Sequence, residues 1–356
     1  MRRDENSVSL LNIPRLDTLL LNRVAAITPK NEYIFFTLDP KLQALTERLI
    51  KESSSPHVAV VVMNPVTGKI LALADKSPTI RNLALHADFP AASLFKVITA
   101  AAAVEQASIS PYTNVAFRGG TYTLNQFNYL PNKSKDRRVM SVAEALGRSC
   151  NPVFGRIALR YLSPAVIRTY AEHFGFNEAI PFELPLALSQ ASIPQDDYQL
   201  SRTAAGFGAV FLSPVHAAAF MSGIANKGIL PKPYLVDRIV SAKGEILYKG
   251  QPESLRRLVK PETAAKLLQM MEYTTTIGTS KREFILKNRP VMGNIEVAAK
   301  TGTLSGDNPE GINNWFIAAA PMNNPEIAVA VVVVHPGGIS SRASHIGRKI
   351  LQAYFK

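Results

Sequence analysis

Residues 90–104 read Pro90-Ala-Ala-Ser93-Leu-Phe-Lys96-Val-Ile-Thr-Ala-Ala-Ala-Ala-Val104. The stretch is helical by propensity and apolar on every side, which places it in an interior rather than at a surface. Between Asp88 and Glu105 the only charged residue is Lys96. An ammonium there is costly unless it is paired or has lost its proton, so burial drives Lys96 toward the neutral amine. Ser93 precedes it by three residues, on the same face and within reach of the amine. The serine also falls in the first turn, where free N–H groups favour developing negative charge. A hydroxyl so placed is a candidate nucleophile and the amine its base. By itself the pattern equally fits an N-cap serine with a lysine that snorkels to water.

Upstream of this helix, Tyr33 to Leu38 reads as a strand, and Asp39-Pro40 supplies an N-cap and a first-turn proline for a helix to about Lys51. Two apolar runs, Val58 to Met63 and Lys69 to Ala74, flank Asn64-Pro-Val-Thr-Gly68 as a β-hairpin. At the far end Ile295 to Lys300, Trp315 to Ala320 and Ile327 to Val334 are strand-like, and Ser344 to Tyr354 is a closing helix. Alanine-rich helical segments fill most of the space between. The expected fold class is α+β: an antiparallel sheet built from both chain ends, flanked by helices, with a mainly helical lobe inserted over roughly 97–290.

Two further short motifs follow in order. Ser149-Cys-Asn151 sits between a helix opened by the capping box Ser141-x-x-Glu144 and a helix with Pro152 in its first turn, so it is a loop tip. Asn151 alone also fits a plain N-cap. Lys300-Thr301-Gly302-Thr303 ends a strand, where glycine admits a close backbone approach and the hydroxyls and ammonium suit a carboxylate. Neighbouring strand residues face opposite ways, so Lys300 and Thr301 enter one cleft only with twist or a bulge.

Ser-x-x-Lys, Ser-x-Asn and Lys-Thr-Gly in this order resemble the signature of the penicillin-binding proteins and serine β-lactamases. Phe36-Thr-Leu-Asp-Pro-Lys-Leu-Gln43, the Ala59 to Ala74 hairpin, Gly206 to Pro233 and Asn314-Trp-Phe-Ile-Ala-Ala-Ala-Pro321 look like the transpeptidase domain of the high-molecular-mass members, over about 31–356. Gly206-Phe-Gly208 is less regular than that family's pattern. The resemblance implies a D,D-transpeptidase that cross-links peptidoglycan stem peptides through a serine acyl-enzyme, with β-lactams as covalent inhibitors and no cofactor. It assigns Ser93 as nucleophile, Lys96 as base, Ser149 as proton relay assisted by Lys96 and Lys300, and Asn151 as holder of the substrate amide. Lys300, Thr301 and Thr303 bind the terminal carboxylate around Gly302, and the N–H groups of Ser93 and Thr303 form the oxyanion hole. The rival readings are a D,D-carboxypeptidase, a serine β-lactamase, for which Glu183 in Pro181-Phe-Glu-Leu-Pro185 is the carboxylate to weigh, and a non-catalytic β-lactam sensor. Glu183 reads better as the shaper of a surface loop, and Asn151 speaks against the β-lactamase branch with valine there.

Composition sets the remaining bounds. In 356 residues with 47% hydrophobic and 19% charged side chains there is ample material for a core and none of the bias of a disordered chain. A formal charge of +13 favours anionic partners such as cell-wall polymer or phospholipid head groups. The basic residues are spread along the chain, with short clusters only at Lys133 to Arg138 and Arg256 to Arg257, and no nucleic-acid motif accompanies them, so they read as a solvated basic face and nucleic acid is not expected. Cys150 is the single cysteine, which rules out an intrachain disulfide and thiolate metal sites, and the scattered histidines offer no metal centre. Polar residues interrupt the leucine-rich segment 8–27, whereas a span needs about 20 apolar residues. No cleavable signal peptide is legible, and residues 1–30 read as an N-terminal extension too short for the family's anchor and pedestal. The expected location is extracytoplasmic, at the periplasmic face of the cytoplasmic membrane, with the anchor absent from this chain. Glycosyltransferases or other cell-wall synthesis proteins are the expected partners.

Overall fold

In the strand Ile327–His335 every residue is buried. Ala328, Ala330, Val332 and Val334 point into one core, and Ile327, Val329, Val331 and Val333 into another. Such a strand, apolar at each position, belongs at the centre of a sheet covered on both faces. A computed structural model, which describes residues 18–20, 23–339 and 341–356, places it there. The sheet comprises β1 (His57–Met63), β2 (Ile70–Lys76), β3 (Ala298–Asp307), β4 (Glu310–Ala320) and β5 (Ile327–His335), in the spatial order β3-β4-β5-β1-β2 with every pairing antiparallel. Both chain ends build it, and the fold is α+β as expected.

One face is covered by α1 (Pro40–Glu52) and by the C-terminal helix Ala343–Tyr354, through Leu42, Leu49, Ile346 and Ile350. Against the other lie α5 (Pro214–Ala225) and α6 (Pro261–Thr276), and on these and on one another pack α2 (Phe95–Gln106), α3 (Val142–Gly147) and α4 (Asn151–Tyr161). Their apolar side chains join those of the sheet in a single continuous core. The caps read from the sequence are present. Asp39 accepts from Lys41 N and Leu42 N, and Ser141 and Glu144 cap α3 reciprocally. Such caps contribute about 1 kcal/mol each.

A second five-stranded sheet joins Thr18–Leu20, Arg23–Ile27 and Tyr33–Phe36 to Val236–Val240 and Ile246–Lys249. Arg23–Ile27 pairs with Tyr33–Phe36, so the sheet runs across residue 31, where the sequence reading begins its main domain. The helical lobe also carries short strands, among them the hairpin Asn114–Phe117 with Arg138–Ser141. Most of the leucine-rich segment 8–27 lies outside the described residues. Among the described residues no helix is long and apolar enough to cross a membrane.

β3 departs from the sequence reading. It does not end at Lys300-Thr301-Gly302-Thr303 but continues to Asp307, paired with β4 without a register break. The reversal comes later, between Asp307 and Glu310. Gly302 sits tightly inside the strand, since a Cβ there would stand 3.2 Å from Ala92 Cβ and 3.3 Å from Ala91 O. The close backbone approach that this glycine permits is therefore to the chain's own Ser93 turn.

Candidate active site

Ser93 occupies a single 3-10 turn, Ala92–Leu94, that leads into α2. The expected regular helix from Ala92 is thus replaced in its first turn. Ala92 has φ of 50°, a left-handed conformation that costs an alanine about 1–2 kcal/mol. Its surroundings enforce it. On one side Gly206, itself at φ 94°, packs so closely that a Cβ would stand 2.2 Å from Ala92 O. On another, Trp315 of β4 donates from Nε1 to Pro90 O at 2.9 Å. Strain held by packing on several sides is characteristic of functional turns.

Lys96 is wholly buried, and its Nζ stands 2.8 Å from Ser93 Oγ and 2.7 Å from Asn151 Oδ1, with the Ala205 carbonyl as third neighbour. Burial and the nearby charge of Lys300 hold its pKa well below that of a free lysine. Asn151 Oδ1 and Ala205 O can only accept. A neutral amine that gives its two N–H groups to these oxygens turns its lone pair toward Ser93 Oγ. The orientation of Asn151 is not arbitrary, because Nδ2 donates to Tyr122 O at 2.6 Å, and a flipped amide would set Oδ1 against the Tyr122 carbonyl and Nδ2 against the N–H groups of Lys96. Asn151 is the first residue of α4 and its side chain makes no cap; Cys150 occupies the N-cap position.

Ser149 lies in the turn between α3 and α4 at φ 57°, and its Oγ accepts from Lys300 Nζ at 3.0 Å. Lys300 also donates to Thr301 O at 2.7 Å and is wholly buried, which pushes its pKa down to about 7. Two buried amines thus serve two hydroxyls, Lys96 to Ser93 and Lys300 to Ser149.

A cleft of about 440 Å³ brings Ser93, Ser149, Asn151, Thr301 and Thr303 together. It lies along the free edge of β3, which resolves the expected conflict of side-chain direction without a bulge. Lys300 and Gly302 project from one face of the strand, Gly302 against Ala91 and Ala92; Thr301 and Thr303 project from the other and reach the cleft past the edge. Lys300 does not itself line the cleft. Thr279, Asn314 and Arg342 do, and the sequence reading missed them. Thr279 Oγ1 bonds Thr301 Oγ1, and Asn314 Nδ2 donates to Thr303 Oγ1 at 3.1 Å. The carbonyls of Ala205 and Tyr122 were missed too. For Ala205 a signal existed in Gly206-Phe-Gly208, since glycine at a turn permits close backbone approach. No carboxylate lines the cleft among the described residues. Glu183 instead accepts from Leu235 N at 3.0 Å and Val236 N at 3.1 Å, holding its loop to the second sheet.

Comparison with known proteins bears on this arrangement. Residues 58–353 match the family model for the penicillin binding protein transpeptidase domain. The chain is 30% identical over 371 aligned residues to the peptidoglycan D,D-transpeptidase PbpA of Mycobacterium tuberculosis, covering 91% of this chain and 73% of that protein. The crystal structure of PBPA from M. tuberculosis superposes with a TM-score of 0.76 at 27% identity, over 91% of this chain and 82% of the other. Its penicillin G acyl-enzyme complex gives 0.70 at 28%, over 91% and 80%. The chain belongs to the penicillin-binding protein transpeptidase family, the serine D,D-transpeptidases.

Proposed function

We propose that the chain cross-links peptidoglycan by acyl transfer from a D-alanyl-D-alanine stem peptide and that Ser93, Lys96, Ser149 and Asn151 carry the chemistry. The observation that supports this most directly is the Lys96 amine, flanked by two oxygens that only accept and left with its lone pair for Ser93. Lys96 takes the Ser93 proton as Oγ attacks the penultimate D-alanine carbonyl. The N–H groups of Ser93 and Thr303 receive the oxyanion. The C–N bond then breaks, and the departing D-alanine nitrogen takes a proton from Ser149, which Lys96 and the Lys300 ammonium replenish. An amine from a second stem peptide attacks the ester, gives up its proton along the same route, and restores Ser93. Thr301 and Thr303 meet the terminal carboxylate in the cleft, while Lys300 acts on it through its charge and through Ser149. Asn151 divides its amide between Lys96 and the loop carbonyl of Tyr122, and orients the substrate amide beside them.

The absence of a carboxylate from the described cleft lining favours an amine acceptor over the activated water of a β-lactamase. The reading places the enzyme outside the cytoplasmic membrane, beside glycosyltransferases or other cell-wall synthesis proteins, with residues 31–356 and the strand Arg23–Ile27 that pairs onto them as the catalytic domain. β-Lactams, whose amide mimics the scissile bond, acylate Ser93 in the same way. Intact-mass measurement after exposure to penicillin is expected to show one adduct on the wild type and none on Ser93→Ala. An adduct that persists in the variant assigns the nucleophile elsewhere.

A further inference from the structure

Between the hairpin strands Asn114–Phe117 and Arg138–Ser141 the chain extends as an arm, residues 118–137. Its interior is pinned by charge. Arg156 of α4, almost wholly buried, donates from Nη1 to Asp136 Oδ2 at 2.7 Å and from Nη2 to Asp136 Oδ1 at 3.0 Å, and also to the carbonyls of Asn128 and Leu130. Arg118 bonds the same carboxylate at 2.9 Å. A paired, bidentate and buried carboxylate of this kind fixes backbone geometry. The arm is therefore rigid where it meets α4, and it returns Thr121 O to Asn151 N at 2.8 Å and Tyr122 O to Asn151 Nδ2.

Its outer surface has the opposite character. Phe127 is 83% exposed, Tyr122 66% and, at the base of the hairpin, Tyr112 73%. From Ala107 to Ala143 there are five basic residues and one acid, Asp136, which Arg118 and Arg156 already neutralise. Lys133, Lys135 and Arg137 are exposed, and their side chains have no ion-pair partner among the described residues. Large aromatic faces held in water on a stiff support, beside unpaired cations, form a preorganised surface that loses little entropy on binding. Tyr122 belongs both to this surface and to the cleft wall, so the two are continuous.

We propose that the arm binds an anionic glycopeptide, the peptidoglycan strand whose stem peptide enters the cleft. Sugar rings lie on Phe127 and Tyr122, and stem-peptide carboxylates pair with Lys133, Lys135 and Arg137. The identity of the polymer rests on the transpeptidase reading. An anionic membrane would satisfy the charges, but continuity with the cleft favours a polymer that must run out of it.

The test is cosedimentation of the full chain with purified peptidoglycan sacculi, and separately with phosphatidylglycerol vesicles, at low and high salt. Two variants are compared, Phe127→Ala and the charge variant Lys133→Gln/Lys135→Gln/Arg137→Gln, and labelling by a fluorescent penicillin is measured in parallel. Each variant is expected to bind sacculi about ten-fold more weakly, salt is expected to weaken the wild type comparably, and penicillin labelling is expected to stay within about two-fold. Undiminished binding of either variant to sacculi overturns the proposal, as does wild-type binding to vesicles but not to sacculi. A wild type that penicillin fails to label refutes the acyl-enzyme reading instead, and the sedimentation result still decides whether the arm holds the polymer.

Discussion

Lys96 and Lys300 are both buried amines without a carboxylate partner among the described residues, and their charges repel through a medium that screens poorly. One proton must therefore leave more readily than the other. Lys96 feels burial and the Lys300 charge, so it is the amine that loses its proton first, while Lys300, its own pKa pushed down to about 7 by burial, keeps its proton only below about that pH. In the proposed mechanism acylation needs the first amine neutral and the second charged. The second-order rate constant for acylation by a β-lactam should then rise with pH through the lowered pKa of Lys96 and fall again above about pH 7. In Lys300→Arg the guanidinium keeps its charge, so the alkaline limb should move beyond about pH 10 even if the plateau is lower. A limb that stays in place belongs to another group. The side chains of this site were legible because a lysine in an apolar helix and a serine three residues before it are statements of residue type and spacing. The carbonyls of Ala205 and Tyr122 were not, because every residue carries a carbonyl and only the folded chain shows which one arrives.

Elements were read well where caps and periodicity coincide, as in α1 after Asp39-Pro40 and α3 after Ser141, and poorly where packing overrides turn chemistry. Gly302 reads as a strand end, yet it lies in mid-strand, paired with Trp315 and facing the Ser93 turn. The arm at 118–137 had no periodic signal at all. Its order depends on Asp136, whose burial opposes ionisation but whose hydrogen bonds from Arg156, Asn132 N and Arg118 hold its pKa below the ordinary value. A carboxylate with a depressed pKa contributes stability that is present above its unfolded value, about 3.9, and is lost as pH falls through the folded one. Hydrogen-exchange protection of the arm, taken relative to the intrinsic rate at each pH, should therefore be high at pH 7 and fall below about pH 4 ahead of that of the central sheet. In Asp136→Asn the arm should exchange fast at both pH values, and acylation should slow because Tyr122 O no longer holds Asn151. Slow exchange in that variant would show that the arm is ordered without the ion pair.

At the scale of the molecule, the cleft is a seam between distant parts of one chain. The Ser93 turn comes from the first third, Ser149 and Asn151 from the inserted lobe, and Thr301 and Thr303 from the last strands, so the site exists only when the sheet has closed. Trp315 is the single tryptophan and one of the ties across that seam. It is buried in β4, donates to Pro90 O, and packs edge-on against Phe89 with ring centroids 5.8 Å apart. Trp315→Phe leaves the apolar contact largely in place but removes the donor and opens a small void. The combined cost is roughly 2–4 kcal/mol. At about 2 °C per kcal/mol for a chain of this size, the melting temperature should fall by roughly 4–8 °C. If the tie also positions the nucleophile, penicillin acylation at a temperature where the variant is fully folded should slow by about ten-fold or more, since small displacements of a reacting group are expensive. A variant that melts earlier yet acylates at the wild-type rate would assign Trp315 to the core alone and leave Gly206 and Gly302 to hold the Ser93 turn.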